Sequence, residues 1–274
     1  MKTIKHKILS TLFLIALALS ANSQSLHNPE SITFDEQSNS YFVSNAQSGD
    51  IQKVGKDGTI SSLVSGYSSF MGIKIYKETI YSAENIKGGD DFVRGFNKNT
   101  GEMVFSLSIP KTKQLNDIEI DDKGNLYVSD RSGDKIYKVN LKNKRYQVID
   151  STIKTPNGLY FNLKNKSLLV CNTVKKGNIY EIDLKTHKTK LLIETAYPHL
   201  DGITVDRNGL IYLTSWSLDW KKSILLKYNG NKFYELLTNN SGMADIEYNK
   251  TLHTIEIAKY LENSIMSYKL TLSK

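Results

Sequence analysis

Hydrophobic and polar residues alternate along this chain with a period of two, in short runs separated by turn residues. That is the pattern of half-buried β-strands. Ile118 and Ile120 interleave with Asp117, Glu119 and Asp121, and the turn Asp122-Lys123-Gly124-Asn125 follows. A second strand is then predicted at 126–129, a third at 135–140 and a fourth around 145–149, the last two joined by the polar hairpin 141–144. The same order recurs further on, with strands at 178–182 and 190–193 and again at 224–228 and 233–237. No stretch carries helical periodicity with caps.

Aligning the segments that open each alternation exposes an internal repeat. They are Pro29-Glu30-Ser31-Ile32, Phe70-Met71-Gly72-Ile73, Leu115-Asn116-Asp117-Ile118, Pro156-Asn157-Gly158-Leu159, Leu200-Asp201-Gly202-Ile203 and Met243-Ala244-Asp245-Ile246. Their second residues are spaced by 41 to 45 positions. Four short antiparallel strands per unit of that length make a propeller blade, and six units fill the chain. The expected fold is therefore all-β, a six-bladed β-propeller with four-stranded antiparallel blades. The last blade is expected to stop after its third strand, near 264–272, with 24–27 supplying the outermost strand and closing the ring.

Composition adds a compartment. Lys2, Lys5 and Lys7 precede an apolar run at 8–19, followed by Ser20, Ala21, Asn22 and Ser23. That run is shorter than the roughly 20 residues a membrane-spanning helix needs, so it reads as a signal peptide. Cleavage is expected after Ser23, or alternatively after Ser20. The propeller domain then occupies 24–274 and is exported, periplasmic or extracellular, without a membrane anchor. Part of the net charge of +8 belongs to the leader lysines. The rest is scattered, as in Lys175–Lys176 and Lys221–Lys222, which excludes a nucleic-acid footprint. Cys171 is the only cysteine and sits among Leu168, Leu169 and Val170, as a buried strand thiol would. A monomer is expected.

In a propeller the first strand of each blade lines the central channel. The six repeat markers should form a ring at one mouth: Glu30, Met71, Asn116, Asn157, Asp201 and Ala244. Glu30, Asn116, Asn157 and Asp201 offer two carboxylates and two amide oxygens, a set that suits one hard divalent cation. Calcium is the first choice on ligand type, with magnesium and zinc open. The plainer alternative is that Asn116, Asn157 and Asp201 cap turns, as Gly72, Gly158 and Gly202 beside the markers would. Glu30 fits that alternative poorly, since glutamate is no turn former.

These segments resemble the gluconolactonase and senescence-marker (regucalcin) family of six-bladed propellers, related to diisopropylfluorophosphatase and the paraoxonases. The likeness runs through all six blades and rests on Glu30, Asn116, Asn157-Gly158 and Asp201-Gly202 in order and spacing. It implies that these four residues bind a catalytic metal. It departs at Gln114, where the family places a sugar-binding Arg, at Asp117-Ile118 in place of Asp-Gly, and at Pro29 preceding Glu30. Metal binding is thus implied more strongly than sugar-lactone specificity. Strictosidine synthase-like propellers place a key Glu in the last blade, where this chain has Ala244.

Loops between second and third strands open on the marker side and should wall the substrate site. Besides Gln114, the candidates are Asn45, Glu84, Arg131, Asn172 and Trp216, with Trp220 on the same loop as Trp216. The two tryptophans either pack on an apolar substrate or cover the blade edge. His199, two residues before Asp201, is a candidate proton shuttle, or a bystander. The expected activity is hydrolysis of a lactone or related ester, a small-molecule substrate. The metal would polarise the carbonyl, and Asp201 would activate water or attack directly. The competing reading is a secreted, non-catalytic binding propeller similar to NHL-repeat proteins.

Overall fold

The computed structural model describes residues 25–270; the expected leader at 1–23, the expected cleavage site and Gln24 lie outside them. The first blade contains β1 (Pro29–Asp35), β2 (Ser40–Asn45), β3 (Asp50–Gly55) and β4 (Ile60–Val64). The second contains β5 (Phe70–Tyr76), β6 (Thr79–Glu84), β7 (Asp91–Asn97) and β8 (Met103–Ile109). β9 (Leu115–Ile120), β10 (Asn125–Asp130), β11 (Lys135–Asn140) and β12 (Arg145–Asp150) make the third. The fourth is β13 (Pro156–Asn162), β14 (Ser167–Asn172), β15 (Asn178–Asp183) and β16 (Thr189–Glu194). The fifth is β17 (Leu200–Val205), β18 (Ile211–Trp216), β19 (Ser223–Tyr228) and β20 (Phe233–Asn240). The sixth holds β21 (Met243–Asn249), β22 (Thr254–Lys259) and β23 (Ser264–Lys269), with a 3-10 turn Tyr260–Glu262 between the last two. Every sheet is a simple antiparallel meander, and together they form a six-bladed β-propeller.

Period-two patterning gives each blade two faces, and a propeller buries both. The six hydrophobic clusters correspond to the six blade-to-blade interfaces. Leu126 and Val128 of β10 pack toward Ala83 and Val93 of the second blade. Tyr127 between them turns the other way, onto Leu159, Leu168 and Val170 of the fourth. Second strands are therefore apolar at consecutive positions, as in Ser167–Asn172, where every residue is buried.

The ring closes differently from the expectation. Among the described residues, the last blade is three-stranded and 25–28 add no outer strand. Instead Leu26 packs with Ile32, Val43 and Ala258, a wedge of side chain between first and last blades. Asn28 donates its N–H to Asn263 Oδ1 at 2.8 Å and its Nδ2 to the Tyr260 carbonyl at 2.9 Å. Deeper in the seam, Ser31 Oγ donates to Asp245, and the Phe34 N–H donates to Glu247 Oε1 at 3.1 Å.

One irregularity recurs in all six blades. The pairing of each first strand with its neighbour slips at the marker, between Pro29 and Ser31 in the first blade and at the equivalent points in the others. A bulge of this kind leaves an extra unpaired residue and re-aims side chains. Here it lets the marker and the residue after it both approach the axis.

The residues after the markers form the layer below, and three of them are glycine. These glycines are not turn residues: Gly72, Gly158 and Gly202 lie inside β5, β13 and β17. A Cβ on Gly158 would sit 2.3 Å from the Asp201 carbonyl oxygen, and one on Gly202 would sit 2.8 Å from the Asp245 Cα. Their role is to let neighbouring inner strands meet. Gly158→Ala should therefore destabilise the fold by about 1–3 kcal/mol, the usual range for overpacking a tight core. A urea midpoint equal to that of the unsubstituted protein would contradict this.

Candidate functional site

All six markers line one cavity of about 290 Å³ at the channel mouth. Its wall is completed by Gln114, Arg131, Trp216, Trp220, Tyr260 and Leu261. Each first strand delivers one marker through its bulge, so the four oxygen-bearing side chains come together from the first, third, fourth and fifth blades.

Asp201 is held from two sides. Asn157 Nδ2 donates to its Oδ1 at 2.8 Å, and the Trp216 indole N–H donates to its Oδ2 at 2.7 Å. Asn157 is itself oriented: its Nδ2 also donates to Thr173 Oγ1 at 2.8 Å, while that hydroxyl donates to the Leu200 carbonyl at 2.9 Å. Thr173 Oγ1 has thus spent its proton and can only accept, which fixes the amide with nitrogen on that side. Across the mouth, Asn116 Nδ2 donates to Glu30 Oε1 at 3.3 Å. Cys171 supports the floor from behind, its Sγ donating to the Asp201 carbonyl at 2.9 Å. Burial pushes that thiol well up, as befits a packing residue and not a nucleophile.

The electrostatics are those of crowded carboxylates buried around a narrow channel. Burial first, then the charges of Asp201, Asp245 and Asp117, hold the Glu30 carboxyl well above its usual range, against the pull of Arg131. Burial also raises Asp201, while Arg131, the Trp216 N–H and Asn157 hold it down. One layer below, Asp117 and Asp245 come from opposite blades. Burial lifts Asp117 well above the ordinary range, with the Asp245 charge adding to it. Below them Lys74 lies 2.9 Å from Glu247 and 3.9 Å from Glu119.

The donor set fits a hard cation. Glu30 Oε2, Asn116 Oδ1 and Asn157 Oδ1 accept no hydrogen bond from any described residue, although Glu30 is only 5 % exposed. A carboxylate buried in this way stays ionised at neutral pH only with a positive partner. Among the described residues no three His, Cys, Asp or Glu side chains converge as a metal site. Two carboxylates and two amide side chains line the cavity, a set whose oxygens would suit an oxygen-seeking ion.

The chain matches the family profile described as SMP-30/Gluconolactonase/LRE-like region over residues 28–231. It belongs to the SMP-30/gluconolactonase/LRE-like family. No curated protein matches it by sequence. Among solved structures, a gluconolactonase from Xanthomonas campestris superposes with a TM-score of 0.72 at 13% identity, covering 89% of this chain and 86% of that one. A protein of unknown function from Bacteroides thetaiotaomicron gives 0.74 at 15% identity, over 90% and 70% of the two chains. A luciferin-regenerating enzyme gives 0.67 at 11%, over 87% and 86%. At these identities the structural likeness is one of fold.

Within this SMP-30-like propeller the expected wall residues divide sharply. Gln114, Arg131 and Trp216 line the cavity; Asn45, Glu84 and Asn172 do not. Those three end second strands opposite Pro29, Phe70 and Pro156, and are buried. Their side chains fasten the loop entering each blade. Asn45 Oδ1 accepts the His27 N–H at 2.8 Å, Glu84 accepts the Ser68 N–H at 3.2 Å, and Asn172 Nδ2 donates to the Lys154 carbonyl at 2.9 Å. The neighbouring position is the one that reaches the mouth. Arg131, Trp216 and Tyr260 each donate their backbone N–H to the residue two before a marker, namely Gln114, His199 and Gly242.

Tyr260 and Leu261 went unanticipated, although Tyr260 occupies the same repeat position as Arg131 and Trp216. His199 is also displaced from its expected role. It stacks on Trp220 with ring centroids 4.2 Å apart and planes 10° from parallel, and its Nδ1 lies 3.3 Å from the Ser217 carbonyl. It braces Trp220 from outside the cavity wall. Trp216 packs against both Trp220 and Tyr260, at 5.8 and 6.5 Å, so the tryptophans wall the cavity and do not merely cover a blade edge.

The channel charges set a pH dependence. In the folded chain burial raises the Asp245 carboxyl from its ordinary 3.8 to about 6. The folded state holds a proton there that the unfolded chain has released, so this residue's contribution to stability declines as pH rises from 3.8 through about 6. In ion-stripped protein, urea titrations across that window should show a smaller decline for Asp245→Asn than for the unsubstituted chain. Equal declines would contradict the assignment.

Proposed function

We propose that this protein is a metal-dependent hydrolase of a lactone or related ester, acting at the channel mouth of an exported, monomeric propeller. One observation carries the reading. Three oxygens without a donor among the described residues, on Glu30, Asn116 and Asn157, share a cavity with an Asp201 carboxylate that is oriented from two sides. Membership of a family that includes gluconolactonases supports it.

Glu30, Asn116, Asn157 and Asp201 would hold a divalent cation, calcium by preference, whose contribution is Lewis acidity toward a carbonyl oxygen. The remaining chemistry belongs to the chain. Asp201 is the general base, taking a proton from water on a carboxylate oxygen; its raised affinity for protons favours that role near neutral pH. Trp216 and Asn157 fix the plane of that carboxylate, so its lone pairs keep one direction through the reaction. The apolar wall of Trp216, Tyr260 and Leu261 limits bulk water over the reacting carbonyl.

Ion-stripped protein should hydrolyse members of a panel of lactones, aryl esters and phosphotriesters only after calcium is restored. Asp201→Asn should lower kcat/KM by about 100-fold or more, as loss of a general base does. Turnover indifferent both to chelation and to Asp201→Asn would refute the proposal. No turnover in purified protein that also lacks a stoichiometric divalent ion would favour the non-catalytic binding propeller.

A further inference from the structure

Three other cations packed into this fold have carboxylate partners: Arg94 with Glu84 at 2.7 Å, Lys98 with Asp35 at 2.9 Å, Lys74 with Glu247 at 2.9 Å. Arg131 is different. It is half-buried on the cavity wall, yet its guanidinium makes no hydrogen bond or ion pair of 4.0 Å or less with any described residue. Only its backbone is anchored, N–H to the Gln114 carbonyl at 2.9 Å. Its charge reaches Glu30 and Asp201 through space, lowering the proton affinity of both, without touching either.

A guanidinium stays charged at any ordinary pH and carries five donors in a planar fork. Leaving those donors unmatched in a partly desolvated wall is costly, unless the matching acceptor arrives with the ligand. The surroundings describe the rest of that ligand. The guanidinium carbon lies 5.5 Å from the Trp220 ring centroid, and Trp216, Tyr260 and Leu261 continue an apolar wall around the same cavity, its rings inclined to one another by 47° and 74°. At about 290 Å³ the space is at the small end of ligand sites, which run from about 300 to 1,000 Å³.

We propose that this cavity selects a small anionic molecule with an apolar ring: a carboxylate paired with the Arg131 fork and a ring set in the angle between the Trp216 and Trp220 side chains. The proposal rests on the reading of the cavity as the substrate site and names the class of compound that enters it. It also agrees with the charge count. A divalent cation would neutralise Glu30 and Asp201, and Arg131 would remain as one positive charge for the ligand to match. Arg is the residue suited to bidentate carboxylate recognition, and indole faces to ring stacking.

The test uses a property of the chain itself. Trp216 and Trp220 are its only two tryptophans, and both line the cavity, so indole fluorescence reports on this site alone. The probes are benzoate and benzamide, equal in shape and unequal in charge, titrated into the full chain with calcium and again with chelator. The unsubstituted protein should bind benzoate at least about 10-fold more tightly than benzamide, the scale of a charge-assisted pair in a partly buried site. In Arg131→Gln that ratio should fall to about twofold or less. The Arg131 side chain makes no hydrogen bond or ion pair with a described residue, so this variant should still fold, as its thermal midpoint would verify.

Equal affinities for the two probes would overturn the proposal, as would no response to either. A benzoate preference that survives in Arg131→Gln would also overturn it, assigning the carboxylate to another group. Neither probe contains a hydrolysable ester. The outcome is therefore separate from whether lactones turn over.

Discussion

The molecule depends on how closely six inner strands can approach a common axis. Adjacent first strands touch at the layer beneath the mouth, where any side chain on Gly72, Gly158 or Gly202 would strike the backbone or inner side chains of the next blade. A bulge at the same point of every first strand makes the approach possible. It breaks the strict alternation of faces, so that two successive residues belong to the channel. The upper residue of each pair lines the mouth, and the lower ones stack into a nearly closed floor. Binding chemistry and ring packing are thus set by adjacent residues of one strand, and neither can be altered alone.

That geometry concentrates negative charge. Glu30 and Asp201 lie above, Asp117 and Asp245 in the floor, and Glu119 and Glu247 beneath them beside Lys74. Lys74 answers the lowest pair directly. The floor pair is met by hydrogen bonds: Asp117 accepts the N–H groups of Ile118 and Leu159, each at 2.7 Å, and Asp245 accepts from Ser31 and from the Ile246 N–H. Among the described residues, the carboxylate oxygen of these three layers left without a donor is Glu30 Oε2, in the layer that lines the cavity.

Much of this was legible in the residues. A repeat of 41 to 45 positions survives because each unit must rebuild the same four strands, and the markers could be aligned from Glu30 to Ala244. The wall was harder to read, for a reason of parity. Asn45, Glu84 and Asn172 end their strands, and Arg131, Trp216 and Tyr260 come one register position later or its equivalent. In extended chain one step reverses the direction of a side chain. Polar character alone does not say which side of that step a residue serves, since a buried loop amide needs an acceptor as much as a substrate does. Leu26 as a wedge, in place of a closing strand, was hidden because a single buried side chain leaves no periodic trace.

The seam between first and last blades has a consequence for the mouth it adjoins. Glu30 stands on one side of that seam; Tyr260 and Leu261 stand on the other, with Asp201 and Trp216 one blade further back. The join is made by a wedge and by side-chain hydrogen bonds, without a shared strand, so the circle is a hoop with a clasp. A solute that gripped both flanks would pull the hoop shut and share its free energy with the clasp. Binding at the mouth, as proposed, and integrity of the whole circle would in this way be one equilibrium, written twice around the same circumference.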